Sequence, residues 1–70
     1  MAIIEKEIWI ARDGNPYNLW AFKNEPIHFP EYEDYRERPG ERAITLDPLL
    51  FQDITYETGP KKYKITIEEI

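Results

Sequence analysis

Residues 62–69 read Lys-Tyr-Lys-Ile-Thr-Ile-Glu-Glu, so apolar and polar side chains alternate along most of the stretch. In an extended chain this order places Tyr63, Ile65 and Ile67 on one face, and lysine, threonine and glutamate side chains on the other. A period of two is typical of a half-buried β-strand. The stretch therefore predicts a strand over about residues 61–68 that ties this end of the chain into a sheet.

A β-hairpin is predicted upstream of this strand. Residues 3–12 form a first apolar run, which ends in the turn-forming residues Asp13-Gly14-Asn15-Pro16, and residues 17–23 form a second run. Two such runs joined by a short glycine-containing segment predict a hairpin over residues 5–23. Both runs carry apolar side chains on both faces, so we expect the hairpin to be covered on both sides or curled into a small barrel.

The middle of the chain is punctuated by proline. Residues 24–41 contain three prolines and predict a long acidic loop, with only residues 27–29 forming a possible short edge strand. Residues 42–46 predict another short strand, and residues 54–57 alternate again. Asp47 followed by Pro48 is typical of a helix start and predicts one short helical turn, which would carry the apolar residues 49–51 over an open sheet edge.

Length and composition restrict the fold class. A chain of 70 residues forms one domain, here residues 1–70, and buries only roughly 60% of its unfolded surface. Cysteine is absent, so no disulfide can reinforce this thin core, but 41% of the residues are apolar. The sequence predicts an all-β or mainly β domain: a small antiparallel sheet or partly open barrel with one short helical turn.

The sequence also bears on location and metals. No stretch approaches the roughly 20 apolar residues of a membrane helix, and residues 1–7 carry charge where a signal peptide has its apolar segment. We therefore expect a cytoplasmic protein that contacts no membrane. One histidine without cysteine cannot supply the usual zinc ligands. The acidic residues Glu31, Glu33 and Asp34 lack the glycine of a calcium loop, so no metal site is predicted.

The sequence also lacks the residue combinations of common catalytic sites. The chain has no serine or cysteine, which removes the nucleophile of the Ser/His/Asp and Cys/His arrangements. His28 is the one side chain that could act as a base near neutral pH, and it stands alone between Ile27 and Phe29. The three glycines are far apart, so no phosphate-binding loop is predicted. We expect no enzyme, no catalytic residue and no cofactor.

Charge is unevenly distributed. Residues 25–41 contain six acids and two arginines, a net charge of −4 against −5 for the whole chain. Lys61, Lys62 and Lys64 form a small basic cluster, but three lysines in a chain of pI about 4.8 make a poor phosphate-binding surface. We expect these lysines to protect an edge strand from aggregation and predict no direct nucleic-acid contact.

Two functions are compatible with these features. The first is a non-catalytic protein-interaction module, whose partner could be another protein or a second copy of this chain, with an exposed tyrosine and arginine set of the kind enriched at interfaces. The second is an acidic inhibitor that mimics nucleic acid in a groove of a host enzyme. The predicted partner-binding residues lie on the acidic loop: Glu31, Tyr32, Glu33, Asp34, Tyr35 and Arg36.

A family resemblance covers most of the chain. The segments that carry it are Trp9-Ile10-Ala11-Arg12-Asp13, Leu19-Trp20-Ala21-Phe22, Glu25-Pro26, Ile44-Thr45-Leu46-Asp47, Leu50-Phe51, and Ile54-Thr55-Tyr56-Glu57 before Gly59-Pro60. In these segments the chain resembles small proteins encoded by phages and prophages, most of which have no assigned function. The resemblance implies an origin in a mobile element and implies no activity.

Overall fold

A computed structural model describes residues 3–70, which form β-strands and no helix. Residues 1–2 lie outside this description. They belong to the segment 1–7, whose charged residues argued against a signal peptide. The strands are β1 (Ile3–Arg12), β2 (Leu19–Phe22), β3 (Ile27–Phe29), β4 (Asp34–Arg36), β5 (Ile44–Leu46) and β6 (Lys61–Glu68). The prediction of an all-β fold is confirmed.

The main sheet has four antiparallel strands in the order β5-β2-β1-β6. The predicted hairpin is β1 and β2, and the alternating segment at residues 61–68 is β6, which pairs with β1 from Ile3↔Glu68 to Ile10↔Lys61. β3 and β4 form a separate two-stranded sheet. Within residues 3–70 neither sheet closes on itself, so these residues form two open antiparallel sheets rather than a barrel.

Apolar residues on both faces of the hairpin are covered at one end of the sheet. On the face that we call the Ile10 face, Ile10 and Leu19 pack against Ile54 from the segment that follows β5. On the opposite face, Ala11 and Phe22 pack against Tyr35 of β4, with further aromatic side chains around them. The thin core is therefore two small clusters, one on each side of the same strands.

Buried Asp13 joins the two sheets. Its carboxylate accepts a hydrogen bond from Trp20 Nε1 at 2.9 Å and another from the backbone N–H of Tyr35 at 3.0 Å. Burial of a carboxylate is costly unless its oxygens are hydrogen-bonded, and both oxygens have a donor here. Asp13 therefore fixes β4 against the end of the main sheet.

The acidic segment 24–41 differs from its prediction. Residues 27–29 form an edge strand as expected, but Asp34–Arg36 forms a second strand, so the predicted long loop contains a hairpin. Three residues are too few to show a period of two. The strand forms because Asp13 supplies a hydrogen bond to its backbone and Tyr35 enters the core.

The predicted helical turn at Pro48 is also absent from the structure. Residues 47–50 form a turn in which the Leu50 N–H donates to the Asp47 carbonyl at 3.0 Å, while the Asp47 side chain accepts from the Leu49 N–H at 2.9 Å. Phe51 then adopts a φ of 49°, outside the right-handed helical region. Asp47 thus caps a turn as it would cap a helix, but the positive φ of Phe51 prevents the turn from continuing as a helix.

Part of the main sheet extends beyond the core. β2 pairs only with residues 9–12 of β1, whereas β6 pairs with residues 3–10. Residues 3–8 and 63–68 therefore form a two-stranded projection, which we call the arm. The elongated shape, 46 × 28 × 16 Å, is consistent with this projection.

Candidate protein-interaction site

The segment predicted to bind a partner forms the tip of the β3–β4 hairpin, residues 29–36. The turn is closed by hydrogen bonds from the Tyr32 N–H to the Phe29 carbonyl at 3.1 Å and from the Glu33 N–H to the Pro30 carbonyl at 3.2 Å. Glu33 has a φ of 51°, and its carbonyl accepts a hydrogen bond of 2.7 Å from the Gly14 N–H. The hairpin tip is therefore attached to the β1–β2 loop rather than free.

Arg36 organises the exposed surface of the hairpin tip. Its guanidinium carbon lies 4.6 Å from the centre of the Phe29 ring and 4.9 Å from that of Tyr32. Its Nη2 atom lies 3.1 Å from Asp34 Oδ2. The hydrogen bond to Asp34 raises the pKa of Arg36 further above its ordinary value. Arg36 thus stays charged and holds two aromatic rings against it by cation–π contact.

The six predicted binding residues fall into three groups. Tyr32, Asp34 and Arg36 form one contact cluster, in which the Tyr32 side chain remains 63% exposed. Glu31 and Glu33 are exposed beside it. Tyr35 does not join the others, because neighbouring residues of a strand point to opposite faces. The structure therefore brings together a tyrosine, an arginine and a rim of carboxylates.

Tyr35 was expected to be exposed, and this expectation is wrong. It is only 8% exposed, its ring stacks on His28 at 4.8 Å, and its hydroxyl donates to the Tyr56 carbonyl at 3.3 Å. Burial, followed by the nearby Tyr56 and Asp13, raises the pKa of the Tyr35 hydroxyl. Tyr35 is therefore a packing residue of the core in this structure.

His28 has a partner that the sequence did not indicate. Its Nε2 atom lies 2.8 Å from the Tyr56 hydroxyl, in an exposed hydrogen bond. Desolvation, followed by the carboxylate of Glu33, raises the pKa of Tyr56, so its hydroxyl keeps its proton at neutral pH. His28 and Tyr56 therefore form one hydrogen-bonded pair beside the ring of Tyr35.

Arg12 is a buried charged residue that the sequence analysis did not single out. It is 6% exposed, and its guanidinium donates to five backbone carbonyls: Ile54 at 2.7 Å, Leu50 at 2.9 Å, Pro48 at 3.1 Å, Phe51 at 3.3 Å, and Pro16. A guanidinium has five N–H donors, so every one is occupied. No pattern in the sequence separates this arginine from an ordinary charged strand end.

A groove of about 350 Å³ lies beside Arg12. Its most exposed walls are Tyr17 and Leu49, at 75% and 73% exposure. The occupied guanidinium has no free donor for an anion, so the groove offers a mainly apolar surface. Because it is shallow and open, it lacks the enclosure typical of a small-molecule site.

Within residues 3–70, no group of acidic or histidine side chains is arranged to hold a metal ion. The same part of the chain contains no helix of the length and apolarity needed to cross a membrane. Comparison of the chain with protein-family models, with curated proteins and with solved structures gave no match.

Proposed function

We propose that this chain is a small non-catalytic protein-interaction module that binds its partner through the hairpin tip. An origin in a phage or other mobile element is part of the proposal and rests on the sequence resemblance alone. The single observation that carries the binding role is the Arg36 guanidinium packed over the rings of Phe29 and Tyr32, at 4.6 and 4.9 Å.

This arrangement supports binding because the exposed groups are already ordered. Tyrosine and arginine are enriched among the residues that dominate interface energies. Fixing a flexible side chain on association costs roughly 0.5–1.5 kcal/mol, and the contacts of Arg36 with Asp34 and two rings remove part of that cost beforehand. The exposed Tyr32 ring is then available as an anchor for a pocket on the partner.

The surrounding carboxylates favour a basic partner surface. Glu31, Glu33 and Glu37 are exposed near the hairpin tip, whereas Asp34 is engaged with Arg36. Rim charges of this kind mainly increase the rate of association and select the partner, while buried anchors supply the affinity. The proposal therefore assigns the affinity to Tyr32 and Arg36 and the electrostatic steering to the glutamates.

An acidic inhibitor that mimics nucleic acid is the second candidate. It is supported by the engagement of both arginines that interrupt the acids: Arg36 pairs with Asp34, and Arg38 Nε donates to the Glu25 carbonyl at 2.9 Å. Glu31, Glu33 and Glu37 remain exposed to solvent, and the charge of Arg36 is balanced by Asp34. Such a mimic would draw its affinity from summed charge rather than from Tyr32.

The test is capture of a partner from host lysate, followed by titration of purified variants at two salt concentrations. For the module, Tyr32→Ala should weaken binding by about 2 kcal/mol or more, the loss expected of a hot-spot residue. Tyr17→Ala is the matched control, because Tyr17 is also an exposed tyrosine but lies on the β1–β2 loop. The Tyr17→Ala variant should bind the partner with the affinity of the parent.

A second variant replaces Glu31, Glu33 and Glu37 by Gln and keeps Asp34, so that the packing of Arg36 is preserved. A mimic predicts that this variant and high salt both weaken binding steeply, because screening reduces summed charge attraction. Loss of binding in the glutamine variant together with full binding of Tyr32→Ala would overturn the module. If both variants bind with the affinity of the parent, the hairpin tip is not part of the binding surface.

A further inference from the structure

β6 is an open edge of the main sheet. It is the last strand in the order β5-β2-β1-β6 and is eight residues long, whereas the opposite edge, β5, has three residues. A long edge presents a row of unpaired N–H and C=O groups to solvent and is a template for pairing with another chain. Lysines, proline, a bulge or a covering segment usually block such an edge. β6 contains no proline, and each of its three lysines is paired with a carboxylate of its own copy, so the lysines do not repel a second strand as free charges would.

The side chains of the arm are also unusually apolar for a surface. Ile65 is 41% exposed and Ile67 58% exposed, and both lie on the Ile10 face of the sheet. Ile4, directly opposite Ile67 on β1, is 48% exposed. A contiguous apolar stripe beside an open strand edge is typical of an association surface.

We propose that two copies of this chain pair through β6, antiparallel to each other, about a two-fold axis at Ile65. The pairing joins two four-stranded sheets into one of eight strands. It uses neither Tyr32 nor Arg36 and goes beyond the proposed function of the hairpin tip.

The sequence of β6 is complementary to itself in this register. In an antiparallel pair centred on Ile65, opposite positions have residue numbers that add up to 130, so each charged residue meets an opposite charge or a neutral residue. The pairs are Lys61 with Glu69, Lys62 with Glu68, Tyr63 with Ile67, Lys64 with Thr66, and Ile65 with Ile65 of the second copy. Directly opposite residues share a face, so apolar pairs form on the Ile10 face and the two inner polar pairs on the other.

Neighbouring registers are less complementary. An axis at Lys64 places two lysines opposite each other, and like charges in that position destabilise a sheet. An axis at Thr66 keeps one pair of opposite charges, Lys64 with Glu68, but places Tyr63 opposite Glu69 and Lys62 opposite Ile70. The charge pattern therefore selects the axis at Ile65.

Ion pairs within each copy fix the positions of the lysines on the polar face of β6. Lys62 Nζ lies 2.6 Å from Glu7 Oε2, and Lys64 Nζ lies 3.2 Å from Glu5 Oε2. These ion pairs hold the lysines over the arm, so Lys62 would lie between Glu7 of its own copy and Glu68 of the other. Because the same strand forms both halves of the interface, association closes at two copies instead of growing into a filament.

Single cysteines test the register, because the chain contains no cysteine of its own. Ile65→Cys places two cysteines opposite each other across the axis, with Cβ atoms about 4.5–5.5 Å apart. A small approach of the two strands brings them to the roughly 3.5–4.5 Å of a disulfide, which mild oxidation can then form. Ile67→Cys is the matched control on the same face. Its two thiols are displaced by four residues, about 13 Å, which is too far for a disulfide.

Covalent dimer should form several-fold faster with Ile65→Cys than with Ile67→Cys. A mixture of Tyr63→Cys and Ile67→Cys should give the mixed dimer in preference to either symmetric one. Equal rates for the two isoleucine positions would overturn pairing at this axis and would indicate packing of the apolar faces or random collision.

Sedimentation equilibrium tests association without a cross-link. The parent should change from 8.4 kDa to twice that mass as its concentration rises. Glu68→Lys, which opposes Lys62 with a second lysine, should weaken the dimer about tenfold. Glu57→Lys is the control, since it makes the same charge change at an exposed site outside β6.

A parent that stays monomeric at millimolar concentration, or equal weakening by both lysine variants, would overturn the proposal. Tyr32→Ala should dimerise like the parent. The two proposals therefore fail independently: loss of partner binding in Tyr32→Ala with intact dimerisation supports both, and loss of dimerisation alone affects only the β6 pairing.

Discussion

Replacing Arg12 by Met should strongly destabilise the fold. The substitution keeps most of the apolar stem of the side chain but removes all five hydrogen bonds to backbone carbonyls. Four of those carbonyls belong to residues 48–54, which cover the Ile10 face, so Arg12 is what attaches this irregular segment to the sheet. Without the cation, the segment has no comparable hydrogen bonds to β1.

The size of the effect follows from the burial of these contacts. A hydrogen bond to a charged group contributes about 1.5–3 kcal/mol, and a buried carbonyl left without its donor costs about 1–3 kcal/mol. The contact with Ile54 is fully buried, while the others are partly buried, so water can replace some of them. We therefore expect a loss of about 3–5 kcal/mol rather than the sum of five separate bonds. A domain of 70 residues has a total stability of roughly 4–10 kcal/mol.

The measurement is urea unfolding followed by tryptophan fluorescence. With a slope of about 1 kcal/mol per molar urea for a small protein, the midpoint of Arg12→Met should fall by roughly 3–5 M, or the variant should be unfolded without urea. Arg12→Lys keeps the charge but concentrates three donors at one point, so it should lie between the parent and Arg12→Met. A loss below about 1 kcal/mol, the value of one ordinary hydrogen bond, would refute this account of Arg12.

Two further predictions concern the core and the hairpin tip. Gly14→Ala should cost about 1–3 kcal/mol in urea unfolding, because a Cβ at this position would lie 2.7 Å from the Glu33 Cβ; an unchanged midpoint would show that the hairpin tip can move away freely. Burial raises the pKa of the Tyr35 hydroxyl above 10.0, so the unfolded chain releases this proton before the folded one. The free energy of unfolding should therefore fall as the pH rises past 10, and Tyr35→Phe should lessen that fall; an equal decline in both proteins would contradict the assignment.

The sequence predicted the strands that carry a repeated pattern. Residues 3–12 and 61–68 are long enough for alternation or apolar runs to be visible, and both strands appear with those bounds. Apolar side chains on both faces of β1 and β2 correctly indicated cover on both sides. These features depend on local periodicity, which the sequence displays directly.

The features that the sequence did not predict depend on contacts between distant residues. β4 has only three residues and is held by Asp13, which precedes Tyr35 by 22 positions. The carbonyls bound by Arg12 lie up to 42 positions away. For the same reason Tyr35 looked like an exposed loop tyrosine, since its burial against Ala11 and Phe22 follows from the position of β4 and not from its neighbours in sequence.

The division between core and arm links stability to association. The buried side chains lie at one end of the sheet, around Ile10 and Ala11, while the arm carries exposed isoleucines and an open strand edge. A two-stranded ribbon is only marginally stable in water by itself. The arm should therefore be the first part of the sheet to open, and any partner that pairs with β6 stabilises the folded state by mass action. Within residues 3–70 of one copy, no further segment covers the open edge of the arm. In the proposed dimer, the β6 strand of the second copy pairs with that edge and so stabilises the arm.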